Sequence, residues 1–168
     1  MIVSSQRNYG RAADNQIQQA KQPGIEGARA LVESFYYAFN RRDMAVFSQV
    51  WANHELIQLN NPLGGILRGY ESIAALYRSV FSGDANVWVA LGDIVEFQSE
   101  GAVIFAGRET GEFVRGENKI SLLIRTSRVV QWLGEEVGWK QTHHHGSIDD
   151  PQLLAAYQYA VLGRDERY

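Results

Sequence analysis

Residues 117–145 read ENKISLLIRTSRVVQWLGEEVGWKQTHHH, and the period of this stretch decides the fold. Ile120, Leu122 and Ile124 alternate with Lys119, Ser121 and Arg125, and Val129, Val130, Trp132 and Leu133 carry the apolar run onward. Alternation at period two marks a strand with one covered face. Gly134-Glu135-Glu136 interrupts the run, and the chain resumes at Val137. Trp139, Gln141, His143 and His145 then fall on one side of a second strand. A hairpin this long and apolar forms the spine of a curved sheet, and other elements must cover one of its faces.

Upstream, Asn86–Phe97 and Ala102–Phe113 are strand-like runs joined by a turn at Gln98-Ser99-Glu100-Gly101. Nearer the amino end the period lengthens. Ala28, Leu31, Val32, Phe35, Tyr36 and Phe39 make a stripe at helical spacing, which predicts a helix over residues 25–40. Asp43 is suited to cap a short second helix that carries Met44, Phe47, Val50 and Trp51 inward. Residues 54–59 alternate weakly, as an edge strand does, and Asn60-Asn61-Pro62-Leu63-Gly64-Gly65 is a loop by composition. A third helix is predicted over residues 70–81. Asp150-Pro151 followed by an apolar run and Gly163 predicts a C-terminal helix. Helices first and strands afterwards imply an α+β domain with its helices on one face of the sheet. By this division residues 1–24 are a polar leader with a short helix over 11–21, residues 25–148 the domain, and residues 149–168 a C-terminal helix.

Composition narrows the function classes. With 168 residues the chain has the length of one domain with a real core. A formal charge of −3 and no run of Lys or Arg argue against a nucleic-acid partner. Having no cysteine, the chain has no disulfide, zinc-thiolate site or thiol nucleophile. No stretch is apolar enough to cross a bilayer, and the amino terminus lacks a signal-peptide core, so a cytoplasmic protein is expected. Neither a glycine-rich phosphate loop nor a serine elbow is present, and no cofactor is expected.

Three stretches resemble a known superfamily. Ala30–Ala52 is similar to the opening helix pair of the nuclear transport factor 2-like proteins. Asn61-Pro62-Leu63-Gly64-Gly65 with Arg68-Gly69-Tyr70 is similar to their loop into the third helix. Gly138-Trp139-Lys140 with His143-His144-His145-Gly146-Ser147 is similar to their last strand, where a Trp precedes a pair of histidines. The likeness covers roughly residues 27–148 and points to the SnoaL-like, ketosteroid isomerase-like branch and to the association domains of calcium/calmodulin-dependent kinases. It implies a cone-shaped domain, with a curved antiparallel (mixed) sheet wrapped around a long first helix. A pocket between sheet and helices and a homodimer formed through the sheets are also implied. The fold alone implies no reaction.

Candidate site residues follow from both sources. Asn61 stands where the ketosteroid isomerase branch carries an Asp base before Pro; an amide cannot take a proton near neutral pH, which leaves Asn61 to orient a substrate. Ala102, Ile104, Ala106, Arg108 and Thr110 share a strand face that ends in a guanidinium, which must meet a carboxylate of the chain or a ligand anion. The association domains point a similar Arg, with a Thr two residues on, into their pocket. Arg128, or Arg125 if a bulge shifts the register, resembles their second pocket arginine. Glu96, Glu109 or Glu112 are the internal partners that would neutralise either arginine. His143 and His145 share the face of Trp139 and are candidate acid/base groups, whereas His144 points the other way. That split argues against a metal site. Tyr37, Trp51 and Trp139 are expected to line the pocket. The expected function is binding of a small, partly apolar molecule with a carboxylate or enolizable carbonyl, with isomerase, cyclase or dehydratase chemistry as its catalytic form. A non-catalytic ligand-sensing or assembly module is the rival.

Overall fold

The computed structural model describes residues 1–163, so the end of the expected 149–168 unit lies outside the described residues. The sheet has seven strands: β1 (Ile2–Ser5), β2 (Gln58–Asn60), β3 (Ile66–Arg68), β4 (Asn86–Ser99), β5 (Ala102–Arg115), β6 (Asn118–Trp132) and β7 (Trp139–Ser147). They run in the order β1-β4-β5-β6-β7-β2-β3. All pairings are antiparallel except that of β2 with β7, which makes the sheet mixed. Among the described residues four α-helices accompany it: α1 (Ile25–Arg41), α2 (Met44–Val50), α3 (Tyr70–Ser82) and α4 (Pro151–Leu162). This is the cone expected from the sequence.

Helix α1 lies across the inner face of the sheet because its apolar stripe has nowhere else to go. Ala28, Leu31, Val32, Phe35 and Tyr36 on it are buried. Burying each large apolar side chain contributes about 1.5–3 kcal/mol. Polar ties fix the angle of the helix. Arg29 donates to both oxygens of Glu96 on β4, and Asn40 exchanges two hydrogen bonds with the backbone of Val89. Gly27 is forced by close approach, since a Cβ there would stand 2.9 Å from the ring of Trp139 on β7. Arg42, at φ 55°, ends the helix, and the Asp43 carboxylate caps α2 by accepting from the Val46 N–H.

Two bulges curl the sheet. In β4 the register slips between Gly92 and Val95, and Asp93 there takes a left-handed φ of 50°. In β7 the pairing steps from Val130↔Gln141 to Val129↔His143, which leaves Thr142 as an extra residue. Each bulge bends its strand and reverses the inward and outward parity beyond it.

The amino-terminal segment differs from expectation. Residues 11–21 hold only a 3₁₀ turn at Gln19–Lys21, while Ile2–Ser5 pairs with the edge of β4. Tyr9, Ala13, Ile17 and Ala20 are buried in the common core, and the Tyr9 ring stacks 6.3 Å from that of Tyr36. Polar residues dominate the segment by count, and Met1 and Ile2 are exposed, but Tyr9, Ala13, Ile17 and Ala20 reach inward.

Candidate functional site

Between α1, α3, α4 and the inner face of the sheet lies a cavity of about 290 Å³. Its walls are apolar: Phe35 and Phe39 from α1, Leu76, Tyr77 and Val80 from α3, and Phe113, Leu122 and Ile124 from the sheet. At its mouth stand Asn61-Pro62-Leu63 on one side and Tyr157 and Val161 of α4 on the other. Helix α4 is tied there by the Gln158 amide, which donates to the Leu63 carbonyl at 2.8 Å, and by Arg115, which donates to the Val161 carbonyl at 3.1 Å. Asp150 caps the start of α4 by accepting from the Gln152 and Leu153 N–H groups.

The floor is polar and sealed. Arg128 of β6 is 1% exposed and Glu109 of β5 is 4% exposed. The guanidinium donates through Nη2 to Glu109 Oε1 at 2.8 Å, through Nε to Tyr36 Oη at 2.9 Å and through Nη1 to Gln141 Oε1 at 3.0 Å. Tyr36 in turn donates to the same Glu109 oxygen. The Phe35 ring covers one side of the guanidinium, with its centroid 3.6 Å from Cζ. A charge this deep is tolerated because it is both paired and hydrogen-bonded. Burial alone would weaken the protonated form of Arg128, but the oxygens of Tyr36 and Glu109 outweigh it and raise its pKa.

His144 completes the floor. It faces Arg128 directly across the β6–β7 ladder, lines the cavity and is 4% exposed. Neither of its ring nitrogens has a hydrogen-bond partner among the described residues. Burial, and then the neighbouring Arg128 charge, hold the imidazole neutral, its pKa well below the ordinary value. The other ring lying close is Phe35, with centroids 6.5 Å apart.

The expected site residues divide accordingly. Arg128 and Asn61 line the cavity. The Asn61 side chain accepts from the Leu63 N–H at 2.9 Å and so shapes its own turn. Arg108 and Thr110 do share a strand face, but it is the outer one: Val103, Phe105, Glu109 and Phe113 point inward from β5. The apolar look of Ala102, Ile104 and Ala106 misleads because the outer face of this sheet is itself partly apolar. His143 and His145 also fall outside, since the extra residue Thr142 reverses the count from Trp139 and turns His144 inward instead. His145 is exposed, with Nδ1 3.2 Å from the Asn60 amide nitrogen. Trp51 and Trp139 are core residues behind the floor, and Tyr37 packs partly buried against that core; none of the three lines the cavity.

Of the floor residues, Glu109 is one of the internal partners expected for the arginines, whereas spacing alone does not bring Tyr36, Gln141 and His144 together. A signal existed for Glu109, which keeps parity with Phe105 and Phe113. None existed for His144, whose orientation depends on a bulge that no glycine or proline marks. The described residues hold no group of three or more His, Asp or Glu arranged to take a metal ion. No helix among them is long and apolar enough to cross a membrane.

Comparison with known proteins agrees with this architecture. The model of the SnoaL-like domain matches residues 28–151. Among solved structures, a protein from Thiobacillus denitrificans assigned as a calcium/calmodulin-dependent protein kinase type II association domain is 26% identical, with a TM-score of 0.56 over 73% of this chain and 94% of that one. A nuclear transport factor 2-like protein from Salmonella enterica is 18% identical, with a TM-score of 0.65 over 77% of this chain and 91% of that one. One from Streptomyces avermitilis, assigned as a dehydratase of the same family, is 19% identical, with a TM-score of 0.64 over 73% and 94%. No curated protein matches the chain.

Proposed function

The chain belongs to the SnoaL-like domain family, and on that premise we propose that it binds a small, partly apolar molecule in the cavity of its cone. The observation that carries this reading is His144, a buried imidazole at the end of an apolar cavity with no partner for either nitrogen among the described residues. Leaving a buried polar group unmatched costs about 1–3 kcal/mol, and a bound molecule with a polar end offsets that cost. The volume, about 290 Å³, is near the lower end for small-molecule sites and suits a compact ligand.

Binding is favoured over acid/base turnover. A histidine whose pKa is pushed well down is a weak base near neutral pH. The Asn61 amide cannot take a proton, and Glu109 is committed to Arg128 and Tyr36. Isomerase, cyclase or dehydratase chemistry therefore needs a proton acceptor that this floor does not supply.

The homodimer reads best on the outer sheet face, where Phe97, Ile104 and Leu123 are exposed large apolar residues. Sedimentation of the wild type and of a Leu123→Glu variant tests it, a dimer in the first and a monomer in the second being expected.

A ligand-observed NMR screen of small alcohols, ketones, amides and acids tests the binding reading. Hits should bind the wild type and be lost in Val161→Trp, which fills the mouth side of the cavity. Hits retained in that variant would locate binding elsewhere and overturn the proposal.

A further inference from the structure

The floor of the cavity also carries information about which polar end it accepts. Six lining residues bear titratable or charged groups: Glu109, Arg115, Arg128, His144, Tyr77 and Tyr157, and burial holds the two tyrosine hydroxyls protonated. Arg115 belongs to the mouth, where its Nε lies 2.9 Å from Asp84 Oδ1. At the floor Arg128 is already neutralised by Glu109, and it donates to three oxygens of the protein. The floor therefore has no net charge to offer an anion.

Building on the binding reading above, we infer that the cavity selects an uncharged molecule whose polar end both donates and accepts, such as an alcohol or a primary amide, and that His144 is the residue that reads it. A neutral imidazole has one N–H and one bare nitrogen. A hydroxyl or amide that reaches the ring satisfies either of the two. A carboxylate only accepts, so it serves the N–H alone and leaves the other tautomer unmatched. It also brings a second negative charge beside Glu109, into a space whose walls are Phe35, Leu122 and Ile124. An ion taken into such a site without a free counter-charge loses its hydration and regains little. Sequence reading leaves the polar end as a carboxylate or an enolizable carbonyl, and the pairing of Arg128 with Glu109 removes the counter-charge a carboxylate would need.

Cyclohexanecarboxamide and cyclohexanecarboxylate have the same shape and differ in charge and in hydrogen-bond donation, so their affinities measured by calorimetry at pH 7.5 test the inference. The wild type should bind the amide at least about tenfold more tightly than the acid, the worth of one hydrogen bond to a buried group. His144→Leu should lose that preference through weaker amide binding, while His144→Gln, which keeps a donor and an acceptor, should retain it. Tighter binding of the carboxylate, or a preference unchanged in His144→Leu, would overturn the inference and leave the binding reading standing. Absence of binding by both probes, together with no hit from the NMR screen, would overturn both.

Discussion

Arg128 and His144 stand opposite each other on the inner face of β6 and β7, and the protein satisfies only the first of them. Arg128 donates to Glu109, Tyr36 and Gln141; His144 has no partner among the described residues. One is a closed structural unit and the other an open valence. Most of what can be expected of this protein follows from that difference.

Breaking the closed unit should be costly, and dismantling it should not. Arg128→Met leaves Glu109 charged and buried, and should lose about 3–5 kcal/mol in urea denaturation. Combining it with Glu109→Leu should recover most of that loss, since an apolar pair replaces a buried ion pair at little net cost. A double variant no more stable than the single would mean that the pair does more than neutralise itself.

The open group should make stability depend on pH in a defined direction. The pKa of His144 is depressed on folding, so the folded state refuses a proton that the unfolded chain accepts below about 6.5. Its contribution is fully present above that value and is lost as pH falls, by at most about 1.4 kcal/mol per pH unit. The charged or titratable groups acting on the ring are Arg128, His143 and His145, and Glu109, Tyr77 and Tyr157 line the same cavity. His143 is also lowered, chiefly by burial, so the comparison must be differential. Between pH 7.5 and 5.5 the wild type should lose more stability than His144→Leu; equal losses would contradict a proton-refusing imidazole.

His143 and His145 should be close to silent in binding. His145 is exposed, and His145→Ala should change stability by less than about 0.5 kcal/mol. In both His143→Ala and His145→Ala, amide affinity should stay within about twofold of wild type, a change smaller than a lost hydrogen bond would make. A tenfold loss in either would mean that the bulge at Thr142 does not turn the strand as described.

The amino-terminal segment should behave as core. Tyr9 is 3% exposed and stacks on Tyr36, the residue that orients Arg128 and Glu109. Tyr9→Ala should cost about 3 kcal/mol, as buried aromatic deletions do. The Tyr9 hydroxyl has no partner among the described residues, so Tyr9→Phe should be neutral or slightly stabilising. A phenylalanine variant as damaged as the alanine one would show a hydrogen bond at that hydroxyl.

Much of the fold was readable from local pattern. The stripe on α1, the Asp43 cap and the runs of α3 and α4 lie where local pattern puts them, and the long strands form where alternation predicts strands. What escaped depends on distant pairing. β1 is four residues of ordinary polarity made into a strand only by the edge of β4, and β3 is three residues fixed by β2. The floor was half legible. Arg128 kept its parity through a strand with no bulge before it, whereas Arg108 and Thr110 were assigned to the wrong side because Ile104 suggested an inner face. Alternation from Trp139 puts His143 and His145 on the inner side, and the one added residue in β7 turns His144 inward instead.

The most direct measurement is long-range ¹H–¹⁵N NMR of the imidazole nitrogens, recorded at pH 7.5 as cyclohexanecarboxamide is added. The His144 nitrogens should shift, in a neutral ring throughout, while those of His143 and His145 stay where they are. Movement of His143 or His145 with His144 unmoved, or no movement in any of the three, would contradict that expectation.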